Sequence, residues 1–266
     1  MKGSFVIGVD GGTESIRAGV FDTIGNPLAY SSTNYKTNFP HPGWAEQDPR
    51  DWWKALAISV RKAVQESGIS AEQVSALTVD TTCCSVVALD CSGYPLRPAL
   101  IWMDVRSAQQ AEQVAECDDP ALIVNSNGKG PVSAEWMIPK ALWLKQNEFE
   151  IFDNAVTICE YQDYLNFHLT GRRVSSINNV STRWHFDFSE GRNGSKESVP
   201  RSLLEKLGLG DLAKKWPVEV IRLGEVIGGL TSEAAEHLGL PIGTQVVQGG
   251  ADAQIGMIGL GVVQPG

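Results

Sequence analysis

The chain has 266 residues, 42% of them hydrophobic and 20% charged, and a net charge of −9. This is a globular balance, and one core serves chains of up to ~250–300 residues, so one large domain is the simplest count. No basic stripe exists to meet nucleic acid, no run approaches the ~20 apolar residues of a membrane span, and the first ten residues lack the long apolar core of a secretory signal.

Cys83, Cys84, Cys91, Cys117 and Cys159 make an odd count without a CxxC pair. Neither a disulfide framework nor a zinc site is expected, and a reducing cytoplasm is the expected compartment.

Ser4–Val9 reads as a buried strand and Gly11-Gly12 as a turn. Ser15–Asp22 alternates as a second strand, and Gly25-Asn26 turns into a third over Pro27–Lys36, which makes an antiparallel meander. A loop over Phe39–Pro49 leads to a helix capped by Asp48, with Pro49 at its first position, an apolar face of Trp52, Trp53, Leu56, Val60, Ala63 and Val64, and an end at Gly68. Strands are predicted at Ala76–Asp80 and Ser85–Asp90. Helices are predicted over Arg106–Glu116, from a Ser133 cap through Leu144, over Cys159–Leu169 up to Gly171, and over Ser202–Leu207 and Ser232–Leu238. Ser189–Ser198 is polar and reads as a surface loop, and Val246–Gly249 reads as a strand. The order gives an α/β fold: a mixed sheet with an opening antiparallel meander, helices on both faces, and the element order of a ribonuclease-H-like core.

Two segments carry chemistry. In residues 6–22 (VIGVDGGTESIRAGVFD) an Asp ends a strand and Gly-Gly-Thr-x-Ser-x-Arg follows. Gly11 and Gly12 let backbone approach phosphate, successive N–H groups in the turn form an anion nest, Thr13 and Ser15 add hydroxyls, and Arg17 adds a two-donor cation. Asp10 suits Mg²⁺ held through water. A plain hairpin with a polar tip explains the same residues without a ligand. In residues 248–256 (QGGADAQIG), Asp252 follows an apolar strand where a helix begins, placed to take a proton from a hydroxyl attacking a γ-phosphate; the plainer reading is a helix cap. No GxxxxGK[ST] or GxGxxG pattern occurs.

Together these segments resemble the FGGY family of carbohydrate kinases, which have an actin-like ATPase fold. The resemblance runs in order through residues 8–22, 43–49 (GWAEQDP), 79–90 (VDTTCCSVVALD), 96–106 (LRPALIWMDVR), 133–144, 161–171 and 249–259. It implies two actin-like domains: a sugar-binding one over residues 1–249 and an ATP-binding one of which residues 250–266 are the truncated start. It implies ATP and Mg²⁺ as cofactors, Asp252 as general base, and Asp10, Gly11, Gly12, Thr13, Ser15 and Arg17 facing metal and phosphates. It implies Thr82, Cys83, Cys84, Trp102 and Asp104 around the sugar, with Asp252 reaching its hydroxyl. Glycerol kinases carry an Arg-Glu pair in the loop after the Ala76–Asp80 strand and xylulose kinases a Met-His pair. Thr82-Cys83-Cys84-Ser85 departs from both, while residues 79–82 and 133–136 look more like ribulokinases.

The expected activity is therefore ATP-dependent phosphorylation of a small sugar or polyol, a ketopentose such as ribulose or xylulose, by a protein of which this is the N-terminal half. A homodimer of the full-length protein is compatible with that. The rival readings are a sugar-binding module without kinase activity and an actin-like ATPase that ignores sugars. Cys83 and Cys84 read as small wall residues rather than a redox pair. Lys140 reads as a solvated lysine. Arg183 is divided between reaching sugar hydroxyls and stacking on Trp184.

Overall fold

A computed structural model describes residues 4–125, 131–188, 198–217, 219–262 and 264. The meander is present: β1 (Phe5–Gly11), β2 (Ser15–Asp22) and β3 (Pro27–Asn34) pair antiparallel in sequence order. β1 runs two residues beyond its predicted end, so Asp10 and Gly11 belong to the strand. The turn is tighter than expected, closed by the Gly12 N–H donating to the Ser15 carbonyl at 3.0 Å. After the short β4 (Glu46–Gln47), α1 (Pro49–Ser67) has the predicted bounds. The Asp48 carboxylate accepts the Arg50 N–H at 3.0 Å, and Gly68 closes the helix at φ 71°, where a side chain would be strained.

The chain continues through β5 (Val74–Thr81), β6 (Val86–Leu89), β7 (Ala99–Leu100), α2 (Ala108–Ala115), α3 (Met137–Asn147) and α4 (Phe149–Asn154). β8 (Thr157–Glu160), α5 (Tyr161–Thr170), β9 (Val174–Ser176), α6 (Ile177–Arg183), α7 (Arg201–Lys206) and α8 (Leu212–Lys215) follow. β10 (Glu219–Ile221), β11 (Val226–Gly229), α9 (Ser232–Leu238), β12 (Gln245–Ala251) and α10 (Asp252–Gly259) complete the described fold. The main sheet has the order β11-β12-β5-β1-β2-β3. Its centre is parallel, β12 beside β5 beside β1, and its edges are antiparallel. A second sheet, β4-β7-β6-β8, and a β9–β10 pair were not foreseen.

Strand alternation sorts the side chains. Ile7, Val9, Ile16, Ala18, Val20, Leu77 and Val79 point to one face and are buried with Trp52, Leu56 and Val60 of α1 and Leu165 and Leu169 of α5. A second core gathers Val86 and Ala88 of β6, Met137, Ile138, Ala141 and Leu142 of α3, and Phe152, Trp184 and Trp216.

Other predicted boundaries move as well. The helix expected from Ser133 begins at Met137, with Trp136 as its capping residue. Cys159, expected in a helix, lies in β8, whose four buried residues are held by pairing with β6. The loop expected over Ser189–Ser198 falls, except for Ser198, outside the described residues. Among the described residues no helix is long and apolar enough to cross a membrane.

Candidate active site

The parallel centre of the sheet delivers three carboxylates to one place. Asp10 is the penultimate residue of β1, Asp80 holds the same position in β5, and Asp252 follows directly on β12 as the first residue of α10. Asp10 and Asp80 are register partners, as are Asp10 and Arg17 across the hairpin. All three strand ends are carboxyl ends, where open α/β sheets characteristically bind ligands. Asp10 lies on the face opposite Val9, away from the core.

The charges are not neutralised in full. Arg17 pairs with Asp10 at 2.9 Å, yet one oxygen of Asp10 and one of Asp80 are buried and accept no hydrogen bond. Burial raises the Asp10 pKa, the Arg17 charge opposes the rise, and the Asp252 charge adds to it. Burial, then the charges of Asp10 and Asp252, push Asp80 up to about 7.

The strand ends are held from behind by polar side chains. The Gln162 side-chain amide donates to the carbonyls of Val79 at 2.6 Å and Gly250 at 3.2 Å, and the Ser176 hydroxyl donates to Gly249 at 2.9 Å. Asn178 accepts the Ala251 N–H at 2.8 Å, which fixes the start of α10. The capping residue of α10 is Ala251, so Asp252 is not spent as its cap.

The glycines of the hairpin serve packing as well as access. A β-carbon on Gly11 would lie 2.9 Å from the Thr81 methyl and 3.0 Å from the Tyr161 ring, and one on Gly12 would lie 2.4 Å from the Arg17 guanidinium. Tyr35 donates to the Gly12 carbonyl, and the Gln47 amide donates to the Thr13 carbonyl at 2.6 Å. Ser15 is half-buried, and its carbonyl closes the turn.

Beside the strand ends lies a cavity of about 300 Å³. Asp252 and Thr13 line one side; Thr82, Cys83, Cys84 and Trp102 line another; Glu135 and Arg183 close it. The Trp102 indole N–H donates to the Thr13 hydroxyl at 3.0 Å, joining the hairpin to the opposite wall. The Thr82 N–H donates to the Gly11 carbonyl at 3.0 Å. Larger hollows of about 570 and 630 Å³ lie between α1 and α9 and along the sheet face beside α10; only the second reaches one of the three carboxylates, Asp80.

The FGGY family of carbohydrate kinases, N-terminal domain, matches residues 5–259. The chain belongs to that family. It is 32% identical to a ribulokinase of Geobacillus thermodenitrificans, covering all of this chain and 51% of the relative. It is 28% identical to a xylulose kinase of Staphylococcus epidermidis, covering 97% of this chain and 49% of the relative. The solved structure of a xylulose kinase from Rhodospirillum rubrum superposes with a TM-score of 0.86 at 28% identity, over 98% of this chain and 52% of that one. The chain spans about half the length of the curated relatives it matches.

Of the residues singled out in the sequence, Thr13, Thr82, Cys83, Cys84, Trp102 and Asp252 line the cavity, and Asp10, Gly11, Gly12, Ser15 and Arg17 belong to the hairpin beside it. Asp104 does not reach the cavity. Its fully buried carboxylate accepts the Ala45 N–H at 2.6 Å and grips the Arg106 guanidinium at 2.7 to 3.0 Å, so it shapes the loop carrying Trp102 instead of facing a ligand. The Cys83 and Cys84 sulfurs, 3.7 Å apart, are free thiols in the wall. Arg183 lies over Trp136, with 5.3 Å to the ring centroid, and Trp184 is buried elsewhere. Lys140, read as solvated, is fully buried.

Sequence reasoning missed Asp80 and Glu135. Asp80 repeats the Val-Asp ending of β1, and that repetition was the available signal. Glu135 carried none, because only folding brings the turn before α3 to this wall.

Proposed function

We propose that the complete protein carrying this domain transfers the γ-phosphoryl group of ATP to a hydroxyl of a ketopentose such as ribulose or xylulose. The observation that carries the reading is the position of Asp252. It lines the small polar cavity and stands at a strand end beside Asp10 and Asp80. A sugar in the cavity would meet hydroxyl, thiol, indole, carboxylate and guanidinium groups, and Thr82-Cys83-Cys84-Ser85 lacks the Arg-Glu grip expected for glycerol.

The chemistry follows from that placement. Asp252 accepts a hydrogen bond from the sugar hydroxyl and takes its proton as the oxygen attacks the γ-phosphorus, while the bond to ADP breaks. Thr13 and the backbone at Gly12 stand on the phosphate side, and Trp102 ties that side to the sugar wall. The partnerless oxygens of Asp10 and Asp80 suit Mg²⁺ held directly or through water. Among the described residues no group of three or more His, Cys, Asp or Glu is placed to hold a metal by itself. Bound there, Mg²⁺ would offset phosphate charge. Arg17, about half exposed, guards Asp10 and can turn to a phosphate oxygen. We assign residues 1–249 to the sugar-binding domain and residues 250–266 to the entry into a second domain that completes the ATP site.

The test is Asp252→Asn in the complete enzyme, with ribulose and xylulose as acceptors. Turnover should fall by roughly 10²- to 10⁴-fold with sugar KM unchanged. A folded variant losing less than tenfold would overturn the assignment.

A further inference from the structure

Two ionisable side chains behind the sugar wall take no part in the chemistry above. Lys140 of α3 and Glu160 at the end of β8 are both fully buried. Taking such groups out of water costs several kcal/mol each unless they are well partnered. Their partners are specific. The Lys140 ammonium donates to the carbonyl of Cys84 at 2.8 Å and to that of Ile101 at 2.7 Å. Glu160 accepts the Cys84 N–H at 2.7 Å on one oxygen and the Trp184 indole N–H at 2.6 Å on the other.

Both backbone groups of Cys84 are thus held by buried charges. Cys84 has φ 66°, in the left-handed region that strains a non-glycine residue. Each remaining partner neighbours a cavity residue: Ile101 precedes Trp102, and Trp184 follows Arg183. Three segments distant in sequence therefore meet in one ionic knot directly behind the cavity.

We propose that Lys140 and Glu160 are positioning residues that set the shape of the sugar wall, holding Cys83, Trp102 and Arg183 in mutual register. The inference rests on the reading of the cavity as a sugar site. A purely structural role would behave differently: losing one buried charge would lower stability and leave the sugar KM and the reactivity of Cys83 in the folded protein unchanged. Loss of the knot should instead loosen the strained Cys84 and let the wall drift, and a displacement of about 1 Å can cost up to ~100-fold.

The test compares Glu160→Gln and Lys140→Met in the complete kinase with two readouts. The first is kinetic: sugar KM should rise by about ten- to a hundredfold, with kcat and ATP KM within about threefold. The second needs no sugar: alkylation of Cys83 by iodoacetamide, followed by peptide mass spectrometry, should speed up by about tenfold once the neighbouring backbone is released. Glu160→Gln keeps shape and one acceptor, so it reports even where Lys140→Met does not fold. Folded variants with unchanged Cys83 alkylation and unchanged sugar KM would overturn the inference while leaving the kinase reading intact. A wild-type enzyme that ignores every pentulose would overturn the substrate reading instead, and Cys83 alkylation would still decide the role of the knot.

Discussion

Asp10 and Asp80 stand at the strand ends beside Asp252, and Lys140 and Glu160 stand behind the Cys84 wall of the cavity. The first two sit half-buried at strand ends, and each keeps a buried oxygen that accepts nothing. The second two are fully buried, yet each spends its charge on hydrogen bonds to named backbone or indole groups. Burial moves the pKa values in both places, raising Asp80 and Glu160 to about 7 and lowering Lys140 to about 8. The shift alone therefore does not separate binding chemistry from scaffolding. At these four residues the hydrogen bonding differs: Asp10 and Asp80 each leave an oxygen open at a strand end, and Lys140 and Glu160 have theirs filled.

The strand-end half breaks most sharply at Gly249. A β-carbon there would lie 2.2 Å from the Val79 carbonyl oxygen, which is backbone and cannot turn aside. Gly249→Ala must push β12 away from β5 and carry Asp252 with it. We expect a loss of about 3 kcal/mol or more, read as a drop in Tm of at least roughly 6 °C. An unchanged Tm would show that the strand ends are looser than this geometry requires.

The buried half should break less sharply at Trp184. Trp184→Phe keeps most of the packing but removes the indole N–H from Glu160, leaving a buried carboxylate oxygen without a donor. A loss of about 1–3 kcal/mol in urea unfolding is expected. Raising the pH from 6 to 8 should deepen it, because Glu160, at about 7, ionises across that range. A loss independent of pH would mean that packing around the ring, and not the carboxylate, sets the stability.

Much of this arrangement was legible because its signals are local. Asp48, Pro49 and Gly68 delimit α1 by capping chemistry, and residues 15–22 announce β2 by alternation. Asp10 and Asp252 were legible through their glycines. β4, β7 and β8 have two to four residues each and owe their form to partners distant in sequence, so no periodicity marks them. Asp80 needed the parallel pairing of β5 with β1, for which the repeated Val-Asp ending is a signal only once the two strands are set side by side. Lys140 was misread because a lysine on a helix is usually solvated; the apolar run around it, Met137 to Leu144, was the contrary signal. Asp104 was misplaced because its partner, Arg106, is only two residues away and closes on it.

The effect with the most specific sign belongs to Asp80. Asp80 has its pKa raised from 3.8 to about 7 in the folded protein, by burial and by the charges of Asp10 and Asp252. The folded state therefore prefers the protonated form. Below about pH 4 both folded and unfolded chains hold that proton, and Asp80 imposes no penalty. As pH rises through the window from 3.8 to about 7, the unfolded chain releases the proton first, and stability falls until the full penalty is present. Asp80→Asn removes the ionisation while keeping the shape. Measured with EDTA present, its Tm should exceed that of the wild type by several degrees at pH 8, and the gap should close by pH 4. A gap of equal size at both pH values would place its cause in packing and remove Asp80 from the charged half of the comparison.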